Sequence, residues 1–183
     1  LPFRTRARHL RRLVARLVND DGLVDTLVAE SGKPRYEAFG VEVFYLGELT
    51  RYLTGRAGRR ALREHTRGSF LFPYKRSRVV HHPRGVVGVI GPWNWPILNN
   101  FADCIAPLVA GNAVVLKPSQ LNPMTSLRIA EGWRAEGLPD VFHVVTGAAD
   151  AGRALVDVAD MIFFTGSQRT GVAVARACAE RLI

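Results

Sequence analysis

After Pro83 the chain alternates a short apolar run with an amphipathic one four times in succession, and this rhythm limits the available folds more than any other feature. The apolar runs are Gly85–Ile90, Ala113–Lys117, Val141–Val145 and Met161–Thr165. Their length and their content of valine, isoleucine and phenylalanine suit strands covered on both faces. The stretches between and after them, Ile97–Val109, Met124–Glu136, Ala151–Val156 and Gln168–Leu182, carry helical patterns. Such a succession predicts an α/β fold, a Rossmann-like parallel sheet with flanking helices joined by right-handed crossovers. Sheets of this kind bind ligands beyond the carboxyl ends of their strands, so the residues after each strand carry the functional reading.

Those segments are Gly91–Pro96, Lys117–Gln120, Thr146–Gly152 and Thr165–Gly171, all polar or rich in glycine. In the last, Gly166 and Ser167 form a small turn that opens a helix. Backbone N–H groups and a hydroxyl there can meet an anion at the positive helix end, which suits a pyrophosphate. Lys117, the only lysine after Lys75, stands where it can donate to ribose hydroxyls; a solvated lysine is the ordinary alternative. Asn94 lies between two tryptophans and two prolines. Its amide is either a donor held toward a developing negative charge or a turn asparagine bonding its own backbone. Gly147 to Gly152 does not match the G-x-G-x-x-G fingerprint and there is no Walker A motif. The residues alone therefore reach a nucleotide-binding-like α/β domain and no further.

The front of the chain reads differently. Apolar residues at i, i+3, i+4 and i+7 mark a helix over Arg4–Asn19, and a second spans Leu23–Ser31, stopped by Gly32 and Pro34. A longer helix is expected over Arg35–Leu53, with Ala38, Val41, Tyr45, Leu49 and Tyr52 sharing a face. Between Gly68 and Arg84, Ser69–Phe72 and Arg76–His82 look extended. His81 and His82 are adjacent and point to opposite faces of a strand, which speaks against a shared metal; no metal site is expected. The resulting division is a helical segment over 1–67, an extended strand pair over 68–84, and a partial Rossmann-like repeat over 85–183.

At 183 residues and 48% hydrophobic content, the chain can bury one domain plus part of another. No apolar run reaches the roughly 18 residues of a membrane span. The Arg-rich start lacks the apolar region of a secretory signal. The net charge of +9 raises the question of nucleic acid. Residues 1–84 hold 18 Lys and Arg against 8 Asp and Glu, and residues 85–183 hold 7 against 8. The excess is spread over helical faces without a nucleic-acid motif, so solvated arginines are expected and no nucleic-acid partner. Cys104 and Cys178 form no disulfide framework, which suits a reducing, cytoplasmic setting.

Taken together, the ordered segments G-V-V-G-V-I-G-P-W-N-W-P, A-G-N-A-V-V-L-K-P-S, G-L-P-D-V-F-H-V-V-T-G and F-F-T-G-S-x-x-x-G closely resemble the aldehyde dehydrogenase superfamily. The likeness covers roughly residues 31–183 and includes Ser31-Gly32-Lys33-Pro34. It implies that Asn94 is the side-chain donor of an oxyanion hole and that Lys117 binds the adenosine ribose. It also implies that Ser167, with Gly166, contacts the pyrophosphate and that Trp93 lies along the cofactor cleft. Ser119, Gln120 and Gly147 complete the cofactor-binding set expected of the strand-end segments. Many NAD-preferring members carry Glu where Gln120 stands. A neutral side chain there removes a repulsion toward a 2′-phosphate, so NAD or NADP is the implied cofactor.

The resemblance further implies a homo-oligomer, with the strand pair in its oligomerisation element, and an aldehyde of unspecified chain length and polarity as small-molecule substrate. The implied chemistry is thiolate attack, hydride transfer and hydrolysis of a thioester by glutamate-activated water. The cysteine and glutamate of that chemistry are expected beyond Ile183. Cys104 shares a helix face with Phe101 and Leu108, and Cys178 sits deep in the last helical pattern, so both read as small core residues. The chain alone is then expected not to oxidise aldehydes. The alternative is a truncated, non-catalytic nucleotide-binding or interaction module.

Overall fold

The computed structural model describes residues 1–183. Helix α1 (Phe3–Val18) buries Ala7, Leu10, Leu13, Val14 and Leu17, the stripe its spacing dictates. Helix α2 (Asp21–Ser31) starts where the Asp20 carboxylate accepts from Leu23 N at 3.3 Å. The carboxylate is braced in turn by Arg128, 2.8 Å away. The chain then runs through α3 (Arg35–Glu37), a π-helical turn (Ala38–Val43) and α4 (Phe44–Leu53), followed by a short α5 (Arg56–Ala61) that no periodicity announces.

The π-helical turn corrects the expected face of this long helix. A π turn holds an extra residue and rotates everything after it. The inward residues are Ala38, Glu42, Val43, Leu46 and Thr50, with Leu49 packed at the core margin. Val41, Tyr45 and Tyr52 face outward. The strand pair is also displaced from its expected position. Strand β1 (His65–Gly68) pairs antiparallel with β2 (Arg76–Val79), so Ser69–Phe72 belongs to the connecting turn rather than to a strand. Register decides this: Gly68 lies opposite Arg76, and Pro73 and Tyr74 fall in the turn between them.

The four expected strands form one parallel sheet: β3 (Val86–Ile90), β4 (Ala113–Lys117), β5 (Phe142–Val144) and β6 (Met161–Phe164). Between β3 and β4 lie a second π-helical turn (Ile97–Phe101) and α6 (Ala102–Ala110); α7 (Met124–Ala135) and α8 (Ala149–Val158) make the next crossovers, and α9 (Gln168–Arg181) follows β6. The strand order is β5-β4-β3-β6. The chain thus builds outward from β3 in one direction and returns to add β6 on the other side, which places a topological switch point between β3 and β6.

The two faces of the sheet are unequally covered. One packs against α6, α7 and the second π-helical turn, over which α1, α2 and α4 lie, in a shared core that includes Leu10, Leu17, Leu27, Phe101, Ile105, Leu116 and Ile129. Phe142 joins it, with its ring edge-on to Phe101 at 5.2 Å between centroids. The other face carries a small cluster of Ile90, Leu155, Val156 and Cys178 beneath α8 and α9. None of the helices is long and apolar enough to cross a membrane.

Candidate functional site

At the switch point the loops after β3, β4 and β6 enclose a cleft of about 630 Å³. The first wall is the loop Gly91–Pro96. It leaves β3 so close to the next helix that a Cβ on Gly91 would collide with the Asn100 side chain. Three further groups fix the loop from behind. Asn100 Nδ2 donates to Pro92 O at 3.3 Å and Asn122 Nδ2 to Trp93 O at 2.6 Å, while the Lys33 ammonium sits 3.4 Å from the centre of the Trp95 ring. The following helical turn is capped by the buried Glu42 carboxylate, which accepts from Ile97 N at 2.7 Å. Trp93, 58% exposed, and Asn94 are left facing the cleft.

The second wall comes from the end of β4. Lys117 is only 8% exposed, and its Nζ donates to Pro118 O at 2.9 Å and Gly147 O at 3.0 Å. An ammonium has three donors, so one remains for a ligand. Burial pulls its pKa below the usual lysine range, and nearby Asp150 opposes the shift. Ser119 Oγ accepts from Leu121 N at 3.2 Å, a local turn that leaves Gln120 on the rim. Gly147 has φ +144°, which only glycine takes without strain, and its carbonyl thereby reaches Lys117.

The third wall is the start of α9. Ser167 caps it, its Oγ accepting from Thr170 N at 3.3 Å. With Gly166, Ser167 and Thr170 lining the cleft, the first turn presents N–H groups that have no acceptor within the helix. A positive helix end, a buried cation and an amide donor therefore face one space. Of the sequence-selected residues, Trp93, Asn94, Lys117, Ser119, Gln120, Gly166 and Ser167 all line it, and Gly147 stands one residue behind Ala148 in its wall.

Comparison with known proteins decides the family. The aldehyde dehydrogenase family model matches residues 1–183, the whole chain. The chain belongs to the aldehyde dehydrogenase family. A curated relative, a putative NADP(+) succinate-semialdehyde dehydrogenase of Mycolicibacterium smegmatis, is 42% identical over 176 residues, covering 94% of this chain and 33% of its own length. The crystal structure of an NAD-dependent aldehyde dehydrogenase from Sinorhizobium meliloti superposes with a TM-score of 0.88 at 33% identity, covering 99% of this chain and 36% of that one. PnpE, solved with nicotinamide adenine dinucleotide, matches with a TM-score of 0.88 at 30% identity, covering all of this chain and 38% of its own. The chain spans about a third of the length of the aldehyde dehydrogenases it matches.

Within this aldehyde dehydrogenase segment both cysteines are buried away from the cleft. Cys104 is wholly enclosed, its thiol donating to Asn100 O at 3.3 Å, and burial raises its pKa well above the ordinary thiol value. Cys178 is raised by burial too. A thiol so shifted is a poor nucleophile. Sequence reasoning missed the groups that hold the Asn94 loop, namely Lys33, Glu42, Asn100 and Asn122. The available signal was weak: Glu42 is a carboxylate where the rotated helix buries its face, and Asn122 precedes Pro123 in a turn.

Proposed function

We propose that these residues form the cofactor-binding N-terminal part of an NAD(P)-dependent aldehyde dehydrogenase, which oxidises an aldehyde to a carboxylic acid through a cysteine-bound intermediate. The observation that carries the reading is the convergence of Asn94, Lys117 and the Gly166-Ser167 helix start on one cleft at the switch point. A dinucleotide fits these residues. The cleft lies within the roughly 300–1,000 Å³ range of ligand pockets, the α9 start suits a pyrophosphate, and the spare Lys117 donor suits a ribose hydroxyl. A bound nicotinamide supplies the hydride acceptor.

In this reading the chain's own residues bind and orient. The N–H groups at the start of α9 hold the pyrophosphate. Lys117 and Gln120 bracket the adenosine ribose, and Trp93 lies along the cleft. Asn94 donates to the oxygen of the aldehyde as negative charge builds on it, together with a backbone N–H. The attacking thiolate is neither Cys104 nor Cys178, both buried away from the cleft, and the reading assigns it, with the carboxylate that activates water, to residues outside this segment. In support of NADP use, Gln120 places no negative charge beside a 2′-phosphate, and the Mycolicibacterium smegmatis relative is named for NADP(+).

Titration of the protein with NAD⁺ and NADP⁺, followed by tryptophan fluorescence, tests the reading. Saturable binding is expected, weakened about tenfold or more when Lys117→Ala removes a charge-assisted donor. Absence of binding to either cofactor defeats it. A kcat/KM preference for NAD of about a hundredfold, roughly 2.7 kcal/mol, would sink the Gln120 argument alone. Aldehyde oxidation by the 183 residues alone, lost in Cys104→Ala, would show that the nucleophile lies inside them.

A further inference from the structure

The most enclosed charged group in the protein, Glu42, plays no direct part in the cleft, yet its surroundings lead there. It lies in the first π-helical turn with no exposed surface. One oxygen meets Lys33 Nζ at 2.6 Å; the other accepts from Ile97 N at 2.7 Å and more distantly from Leu98 N at 3.4 Å, the opening of the second π-helical turn. Lys33 in turn stands over the ring of Trp95 at 3.4 Å. Two departures from regular helix thus face each other across one ion pair, and π turns of this kind concentrate where a site needs residues set at an irregular angle.

We infer that Lys33 and Glu42 are positioning residues that set the direction of the Asn94 amide. Asn94 is exposed and takes part in none of the side-chain hydrogen bonds, so no hydrogen bond of its own aims it. Its direction depends on the residues on either side. The Trp93 carbonyl is tied by Asn122, and on the other side both the Trp95 ring and the helix start at Ile97 are tied to the ion pair. A donor that must meet charge developing in a transition state has to be aimed beforehand. The ion pair, remote in sequence, does the aiming from behind. The inference rests on the proposed reading of the cleft as that of an aldehyde dehydrogenase.

The test uses the protein expressed from its complete reading frame, with Lys33→Met, Trp95→Leu and Lys33→Arg made alone and together with Asn94→Ala. Trp95→Leu keeps the ion pair while removing the ring, so it remains informative if Lys33→Met fails to fold. Amide exchange over residues 92–99 should quicken about tenfold or more in Lys33→Met and Trp95→Leu, with β4 unchanged. In aldehyde oxidation kcat should fall by about tenfold or more while the cofactor KM stays within about twofold. Added to Asn94→Ala, neither substitution should lower kcat further, because the group being aimed is gone. Lys33→Arg, which keeps a cation over the ring, should recover most of the rate. Losses that multiply with Asn94→Ala, or unchanged kcat in a variant whose loop exchanges faster, overturn the inference. A wild-type protein that binds cofactor but turns over no aldehyde overturns the catalytic reading instead. Exchange then decides the clamp alone, and unchanged rates over 92–99 refute it.

Discussion

Lys117 illustrates how one buried side chain ties protonation to stability and, on the proposed reading, to ligand binding. Burial lowers its pKa, so the folded state releases the proton more readily than the unfolded chain does. Between the lowered folded value and the usual unfolded one, the unfolded state holds more protons. Stability therefore rises with pH through that window and is lost as pH falls through the folded value. On the proposed reading binding runs the other way, since Lys117 would donate to the cofactor in its protonated form. NAD(P)⁺ affinity is expected to decline at a lower pH than an ordinary lysine would dictate, and Lys117→Met should flatten that decline. Titrations between neutral and alkaline pH would show it, and an identical profile in the variant would refute it. If Asn94 is the oxyanion donor proposed above, Asn94→Ala should lower kcat for aldehyde oxidation by roughly 10²–10³ with little change in cofactor KM. Lys117, Ser167 and Asn94 were legible in the sequence as residues lining the cleft because each lies at or within a few residues of the carboxyl end of an apolar strand. Glu42 and Lys33 were not, because their meaning depends on what folds against them.

Helix beginnings raise the same matter at the scale of elements. α2 carries its own cap in Asp20, adjacent in sequence and thus readable. α7 begins after Pro123, which provides no side-chain cap; the α2 residue Glu30 accepts from Met124 N at 2.5 Å and Thr125 N at 2.7 Å instead. The helix after Pro96 is likewise capped by Glu42, 55 residues away in sequence. Glu30→Ala should destabilise the protein by about 1–2 kcal/mol, the upper part of the range for caps. Urea unfolding would measure it. Lys33→Met, by stranding a buried carboxylate, should cost about 3–5 kcal/mol, more than Lys33→Met combined with Glu42→Leu if the pair acts as a unit. Asp20 also predicts acid behaviour. Its hydrogen bond with Arg128 holds its pKa below the ordinary aspartate value. Its contribution is thus fully present above that ordinary value and lost as pH falls through the lowered one. Asp20→Asn should make the acid side of the unfolding profile shallower. The face of α4 was misread for a related reason: the π turn before it adds a residue that a 3.6-residue period cannot register.

Across the whole molecule, packing is lopsided. β3 and β4 are central, with one face covered by two layers of helices, whereas β6 ends the sheet and α9 buries only Cys178. Opening free energies should follow that gradient. Amides of β4 should exchange slowest and those of α9 faster, measurable peptide by peptide; uniform protection across β4 and α9 would contradict the packing. The cleft straddles this divide, with Asn94 and Lys117 on the well-packed side and Ser167 on the lighter one. A ligand spanning it should therefore protect α9 most, and NAD(P)⁺ titration in the exchange experiment would show whether it does.

The sequence by itself determined the four βα units, the strand-end segments and the residues that line the cleft. Strand and helix periodicities are local, and in a parallel sheet the carboxyl ends of the strands, where ligands bind, can be located along the chain. Only the tertiary structure decided the strand order, the rotation of the long helix and the capping of two helix starts by carboxylates from distant segments. Those depend on pairings across the fold: an extra backbone residue in a π turn, or an orphan N–H that takes whichever acceptor packing brings near. The support of Asn94 belongs to this second kind, since Lys33 and Glu42 reach its loop only when the helical front folds against the sheet.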